Sequence, residues 1–209
     1  MHPIRRIADS TVRRLSLYLR FLDEFEGQGA TTVSSDALAT RVGTTAAQVR
    51  KDLSFFGSFG KRGTGYQVAE LASRLRRILG LGRRYRLILI GAGKIGSALV
   101  QYPGFQERGF DIVAIFDSDP AKIGSRWNGL VVKSMNRLGD EVSCLKPDIA
   151  VIATPAGVAQ AIADQLADLG VRAILNFAPA TLSGDGDTII RSVNLALELE
   201  SLSFALTNR

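Results

Sequence analysis

Three glycines at fixed intervals carry the sharpest chemical signal in this sequence. Gly91-Ala92-Gly93-Lys94-Ile95-Gly96 follows an apolar run, Leu87 to Ile90, and opens a helical pattern. In that setting Gly91 makes the turn, Gly93 lets a pyrophosphate approach the backbone, and Gly96 lets the helix pack against the strand. The helix beginning at Lys94 presents its first N–H groups and its positive dipole end to the phosphates. A carboxylate, Asp117, ends the next strand-like run, FDIVAIFD, 21 residues beyond Gly96. An acid at that spacing accepts hydrogen bonds from the adenosine ribose and repels a 2′-phosphate, which favours NAD(H) over NADP(H). Asp119 is the competing acid, suited instead to capping the following turn. Lys122 and Arg126 stand near enough to receive a phosphate and weaken the discrimination slightly.

A second group of residues has the chemistry of nucleic-acid contact. Val49, Leu53 and Phe56 step by four and three and form a buried stripe, leaving Thr45, Gln48, Arg50, Lys51 and Ser54 to point elsewhere. Arg and Gln can reach guanine and adenine edges, while Lys51 and the hydroxyls suit phosphates. Downstream, FGSFGKRGTGYQV places Lys61 and Arg62 among Gly57, Gly60, Gly63 and Gly65, then returns to a strand-like Tyr66 to Val68. Glycines permit a tight hairpin with both cations at its tip, a wing that meets a minor groove or phosphate; a plain glycine-rich loop is the other reading.

Other chemistries are scarce. His2 is the only histidine and Cys144 the only cysteine. A zinc site of the usual ligand count cannot be built from them, and the commonest general acid–base side chain is missing. Cys144, in VSCLKP, is expected to be a small buried hydrophobe. The start, MHPIRRIADS, has no apolar run of signal-peptide length, and no stretch approaches the roughly 20 apolar residues of a membrane span. A cytoplasmic protein without metal or membrane partner is expected.

The elements that must position these residues fall into two modules. Residues 1–84 hold 15 Lys/Arg against 7 Asp/Glu, a balance of +8, whereas residues 85–209 hold 11 against 13, a balance of −2. The first half therefore suits a polyanion, with a solvated basic surface as the other reading of the charge alone. Thr11 to Phe25 is helical, with Val12, Leu15, Leu19, Leu22 and Phe25 on one side. Ser34 or Ser35 caps a short helix, Asp36 to Val42, closed by Gly43. Thr45 with Gln48 forms a capping-box pattern for the next helix. Short helix, turn and polar helix make a helix-turn-helix, and Val68 to Leu79 adds a fourth helix bearing Arg74, Arg76 and Arg77. GLGRR (80–84) is the joint.

The second module alternates strand and helix: Ile149 to Ala153, a helix from about Val158 to Leu169, then Ala173 to Phe177. The turns Thr154-Pro155-Ala156-Gly157 and Asn176-Phe177-Ala178-Pro179 fall at strand carboxyl ends, where ligands of open α/β sheets bind, so Thr154, Pro155 and Asn176 are candidate walls of a nicotinamide pocket. Ordinary loop closure is their other reading. The last helix, Asn194 to Leu206, is apolar on more than one side and packs either between subunits or on its own domain. The expected fold is α/β: a winged helix-turn-helix domain (1–79), a linker (80–84), a doubly wound parallel-sheet Rossmann domain (85–193) and a terminal helix (194–209).

These runs resemble the redox-sensing transcriptional repressor family Rex. SSDALATRVGTTAAQVRKDLSFFGSFGKRGTGYQV, GAGKIGSALVQYPGF, FDSDP, NFAP and a terminal SLSFAL carry the similarity over nearly the whole chain, in the family's order. The resemblance implies a homodimer on a palindromic operator, with the C-terminal helix exchanged between subunits. It implies that NADH releases the DNA while NAD+ competes poorly. Gly91, Gly93, Gly96 and Asp117 match its NADH site, and Arg50, Lys51, Lys61 and Arg62 match DNA-facing positions. Arg20 and Tyr102 match residues that couple the two domains. Their usual partner in the family is an Asp where this chain reads Val193-Asn194; Asn accepts a hydrogen bond but cannot form the ion pair, and charge-assisted bonds are roughly twice as strong. A dehydrogenase is the rival reading, and it needs a proton-handling group that only Tyr102, Lys94 or Lys133 would supply. A third reading keeps the DNA-binding half and gives the second module another adenine ligand such as coenzyme A, which Asp117 opposes weakly.

Overall fold

The computed structural model describes residues 7–57, 59 and 65–208. The chain divides into two compact units, Met1–Arg83 and Arg84–Arg209.

In the first unit, α1 (Asp9–Gly27) precedes a short strand, β1 (Thr32–Val33), then α2 (Ser35–Val42) and α3 (Ala46–Ser54). Strand β2 (Tyr66–Gln67) leads directly into α4 (Val68–Ile78). Ser34 caps α2 by accepting from the Ala37 N–H at 3.0 Å, and Gly43 ends the helix in the left-handed region. The core joins Leu15, Tyr18, Leu19 and Leu22 of α1 to Leu38, Val49, Leu53, Leu71 and Leu75. Val12, expected on the buried side of α1, is 40% exposed. The true stripe runs through Thr11, Leu15, Tyr18 and Leu22, steps of four and three that leave Val12 on the flank.

The tip of the expected hairpin lies outside the described residues, but the strand that follows it is described. Tyr66 and Gln67 pair antiparallel with Val33 and Thr32, so the strand after the glycine-rich loop closes on the α1–α2 connection. Lys61 and Arg62 lie outside the described residues. Gly65 sits against this ladder with φ +79°, where a Cβ would stand 2.5 Å from the Val33 carbonyl oxygen.

The second unit is built on a seven-stranded sheet. Its strands are β3 (Tyr85–Ile90), β4 (Phe110–Asp117), β5 (Arg126–Trp127), β6 (Leu130–Ser134), β7 (Ile149–Ile152), β8 (Ala173–Asn176) and β9 (Ile189–Ser192), in the spatial order β5-β6-β4-β3-β7-β8-β9. All neighbours are parallel except the β5–β6 hairpin. Connections are α5 (Lys94–Gln101), α6 (Pro103–Glu107), α7 (Leu138–Leu145) and α8 (Ala156–Asp168); α9 (Leu195–Thr207) ends the chain. Central strand β3 is apolar throughout its buried part because both faces are covered. Ile88 and Ile90 pack with Leu138, Ala159 and Leu166, while Leu87 and Leu89 pack with Val100, Ile115 and Val132. Strand order reverses between β3 and β7, the switch point of a doubly wound sheet.

Cys144 is exposed, against expectation. The buried positions of α7 are Leu138 and Val142, one turn apart, with Leu145 packed beside them. Cys144 falls off that stripe. Helix α9 has no buried residue, and Leu195, Leu197, Leu199, Leu202, Phe204 and Leu206 are each at least 58% exposed.

Candidate functional site

The glycine turn sits between the two strands that flank the switch point. Gly91 has φ +106°, and a Cβ there would stand 2.4 Å from the Ala153 carbonyl oxygen at the end of β7. A Cβ on Gly96 would stand 2.1 Å from the Gly91 carbonyl oxygen and 3.4 Å from Leu89, so any larger residue would force α5 off β3. Gly93 differs: it caps α5 at φ −96°, an ordinary angle, and a Cβ there would meet none of the described residues within 4 Å apart from its chain neighbours. Steric need at Gly91 and Gly96 is thus internal, whereas the space above Gly93 is open to a ligand. The Ser97 N–H is the first of α5 to bond back, to the Gly93 carbonyl at 2.9 Å. Ala92 and Gly96 are buried, and Lys94 and Ile95 are exposed at the helix start.

Asp117 lies at the carboxyl end of β4 beside this turn. Oδ2 accepts from the Ala92 N–H at 2.7 Å, and Oδ1 from the Asp119 N–H at 2.8 Å. Lys122 Nζ stands 3.3 Å from Oδ2 and 3.6 Å from Asp119. Burial pushes this carboxyl up, but the two backbone donors and Lys122 outweigh it and hold the group below the usual carboxylate range. The acid is therefore ionised and stitched to the glycine turn, with lone pairs remaining for ribose hydroxyls. Asp119 instead accepts from the Ala121 N–H at 3.0 Å, shaping the turn.

On the far side of the switch point, Pro155 caps α8 and is exposed. Thr154 Oγ1 is buried and has no hydrogen-bond partner among the described residues, while its Cγ2 would lie 3.1 Å from a Cβ on Gly91. A buried hydroxyl without a partner is costly, and a nucleotide group held at this turn would satisfy it. Asn176 requires a correction. Its side chain is fully buried, with the two N–H groups of Nδ2 shared among the carbonyls of Ala178 (3.3 Å) and Ala180 (2.9 Å) and Ser192 Oγ (3.2 Å), while Oδ1 accepts from the Ala178 N–H at 2.9 Å. Asn176 holds the loop's shape and has no amide N–H left over for a ligand.

In the first unit, Thr45 caps α3, its hydroxyl accepting from the Gln48 N–H at 3.1 Å. The return half of the capping box is absent: Gln48 Nε2 donates at 2.8 Å to Asp52. Arg50 and Lys51 are exposed, as is Ser54, whose hydroxyl donates to the Lys51 carbonyl at 2.7 Å. Arg50 also reaches Ser35 Oγ at 2.9 Å, tying α3 to the start of α2.

Sequence reasoning missed Asp52. It is fully buried, and Arg14 forks onto it from α1 with Nε at 2.6 Å and a second nitrogen at 2.8 Å. Tyr18 adds its hydroxyl at 2.9 Å. Burial pushes the carboxyl up, but hydrogen bonds from Arg14, Gln48 and Tyr18 win and hold it below its ordinary value. The only sequence signal was an acid one turn after Gln48 on the side of Val49 and Leu53.

The three coupling candidates each have local partners. Arg20 pairs with Glu24 at 3.6 Å. Tyr102 is 57% exposed and meets Phe105 edge to face. Asn194 caps α9, Oδ1 accepting from the Ala196 N–H at 3.0 Å.

Comparison with known proteins agrees with both halves of this geometry. Residues 6–54 match the family described as Putative DNA-binding protein N-terminus, and residues 83–180 match the CoA binding domain family. The redox-sensing transcriptional repressor Rex of Carboxydothermus hydrogenoformans is 47% identical over 199 residues, 95% of this chain and 96% of that protein. Rex of Syntrophomonas wolfei is 47% identical over 206 residues, 98% of each. Among solved structures, the Rex-family repressor RSP with β-NAD+ and operator DNA aligns at a TM-score of 0.91 and 37% identity, covering 97% of this chain and 93% of that one. RSP with β-NADH aligns at 0.88 and 35%, covering 97% and 95%. These relatives are transcriptional repressors rather than enzymes. With a helix-turn-helix unit, a Rossmann unit and full-length identity at this level, the chain belongs to the Rex family of redox-sensing transcriptional repressors.

Proposed function

We propose that this chain binds a palindromic operator as a homodimer through α3 and the glycine-rich segment carrying Lys61 and Arg62, and that NADH binding at the glycine turn releases it. The observation that carries the reading is the contrast among the three glycines. Gly91 and Gly96 are required by the protein's own packing, while the open space at Gly93 faces a helix N-terminus and suits a pyrophosphate. The dinucleotide would supply two negative phosphates and a ribose diol. Backbone N–H groups at the start of α5 would hold the first and Asp117 the second. Thr154 and Pro155 would line the same cleft from the turn before α8.

Helix α9 supports the dimer. Six large apolar side chains in the open are the surface of a helix that expects a partner, and exchange with a second copy would bury them. Arg20, Tyr102 and Asn194 would then link nucleotide state to DNA affinity. A repressor of this kind works in the cytoplasm, where its DNA is.

The coenzyme A description of the second unit's family favours a second ligand, since both molecules carry adenosine and pyrophosphate. Asp117 favours the unphosphorylated ribose. Calorimetric titration with NADH, NADPH and coenzyme A separates these readings: NADH should bind at least about tenfold more tightly than either phosphorylated ligand, one tenfold step being 1.4 kcal/mol. Equal affinity for all three would overturn the assignment of Asp117.

A further inference from the structure

Arg14 and Tyr18 stand one turn apart on α1, and Gln48 and Asp52 one turn apart on α3. The Asp52 carboxylate thus gathers four hydrogen bonds from two helices, three from side chains of α1 and one from its own neighbour, Gln48. The same helices already share the apolar cluster of Leu15, Leu19, Val49 and Leu53. Apolar packing is not directional and tolerates a roll of one helix on another, while a bidentate Arg–carboxylate pair fixes it. Replacing buried ion pairs by apolar residues is often neutral or stabilising, so stability is a weak reason for this cluster and registration of α3 a stronger one.

Gln48 gives that registration a purpose. The terminal torsion of glutamine is broad, so a free Gln on a surface helix samples many orientations. Here one amide N–H is committed to Asp52 at 2.8 Å, which leaves the carbonyl oxygen and one N–H. A donor and an acceptor on one amide are what a bidentate contact with an adenine edge uses. Gln48 sits in the first turn of α3, after the cap Thr45 and before exposed Arg50 and Lys51.

We propose that Asp52 is a positioning residue for DNA recognition: by holding the Gln48 amide and the roll of α3 against α1, it lets Gln48 read one base pair of the operator. This rests on the reading of α3 as the recognition helix. The test uses a duplex selected from a random pool by the full-length protein, together with its complete set of single base-pair substitutions. Wild type must first show selective, salt-sensitive binding; failure there removes the DNA reading itself. Gln48→Ala should then flatten discrimination at one base pair per half-site, a loss of about 5- to 150-fold, the span of a bidentate base contact.

Asp52→Asn and Tyr18→Phe should each flatten the same base pair, Tyr18→Phe more weakly, because it keeps the ring and removes only the hydroxyl. Combining either with Gln48→Ala should add nothing at that position. Arg14→Lys, which keeps the charge and loses the fork, should fall between wild type and Asp52→Asn. A cluster that only stabilises the fold would lower affinity for every duplex alike and add to Gln48→Ala, and that pattern would overturn the proposal. So would full discrimination in Gln48→Ala, or in a folded Tyr18→Phe.

Discussion

At the scale of single residues, the glycine turn separates what the fold needs from what the ligand needs. Gly96→Ala places a Cβ 2.1 Å from the Gly91 carbonyl oxygen, so it should lower thermal stability and abolish NADH binding together. A Cβ on Gly93 meets none of the described residues within 4 Å beyond its chain neighbours, so in Gly93→Ala thermal unfolding should stay unchanged while NADH affinity falls at least about tenfold. Scanning calorimetry alongside NADH titration separates the two; a Gly93→Ala protein that binds normally would remove the pyrophosphate from this turn.

Asp52 yields a pH prediction of definite sign. Its carboxyl is held below the ordinary range when folded, so the stabilisation is complete above its unfolded pKa of about 3.9 and is lost as pH falls through the lower folded value. Wild type should therefore lose thermal stability on the acid side of about pH 4 more steeply than Asp52→Asn, whose profile lacks this group. At neutral pH Asp52→Asn should cost about 3 kcal/mol in urea unfolding, as expected when one member of a buried ion pair is removed. Parallel pH profiles of the two proteins would contradict the assignment.

Why Asp52 escaped the sequence while Asp117 did not is a matter of distance along the chain. Asp117 belongs to a local pattern, strand, glycine turn, helix, strand, whose members are neighbours in sequence. Asp52 is made by Arg14, 38 residues away, and without that partner an acid on a short polar helix reads as a solvated charge. Asn176 failed the other way: the strand end drew attention to it, but the amide's partners lie in the loop that follows and in β9.

At the scale of elements, the helices of the first unit and the central strands of the second were legible, because apolar spacing alone sets them. The sheet's edges were not. Hairpin β5–β6 turns at Asn128-Gly129, with Asn128 at φ 46° and Gly129 at φ 83°. An Asn-Gly pair between short apolar runs is a hairpin signal that the βα alternation overshadowed. Strand β9 carries only half-buried or exposed positions and no alternation. Its pairing with β8 comes from the sheet rather than from its own residues.

The terminal helix carries the element-scale prediction. Deleting residues 195–209 should convert a dimer into a monomer by light scattering and lower operator affinity, while NADH binding to the sheet persists. A truncated protein that remains dimeric would move the interface elsewhere. Asn194→Asp should keep α9, since aspartate caps a helix as well as asparagine does and also favours its positive end. Any change it causes in the relative potency of NADH and NAD+ then reports coupling through Arg20 and Tyr102, read by competition titration. An unchanged ratio would take Asn194 out of the coupling path.

For the whole molecule, the charge split along the sequence coincides with the division into a small helical unit and a sheet unit. A basic half that neutralises phosphates loses DNA affinity with salt at a log–log slope of about −0.9 per contact. Switching asks more than two binding sites: NADH must bind the released state better than the DNA-competent one, by about 5.5 kcal/mol to carry a population from 1:99 to 99:1. Because linkage is reciprocal, operator DNA must weaken NADH by the same factor that NADH weakens operator.

The most direct test is a mobility-shift titration of the operator complex with NADH, NAD+ and NADPH at fixed salt. NADH should dissolve the complex at concentrations where NADPH has no effect, with NAD+ weaker than NADH. An operator complex indifferent to NADH, or dissolved equally by NADPH, would contradict it.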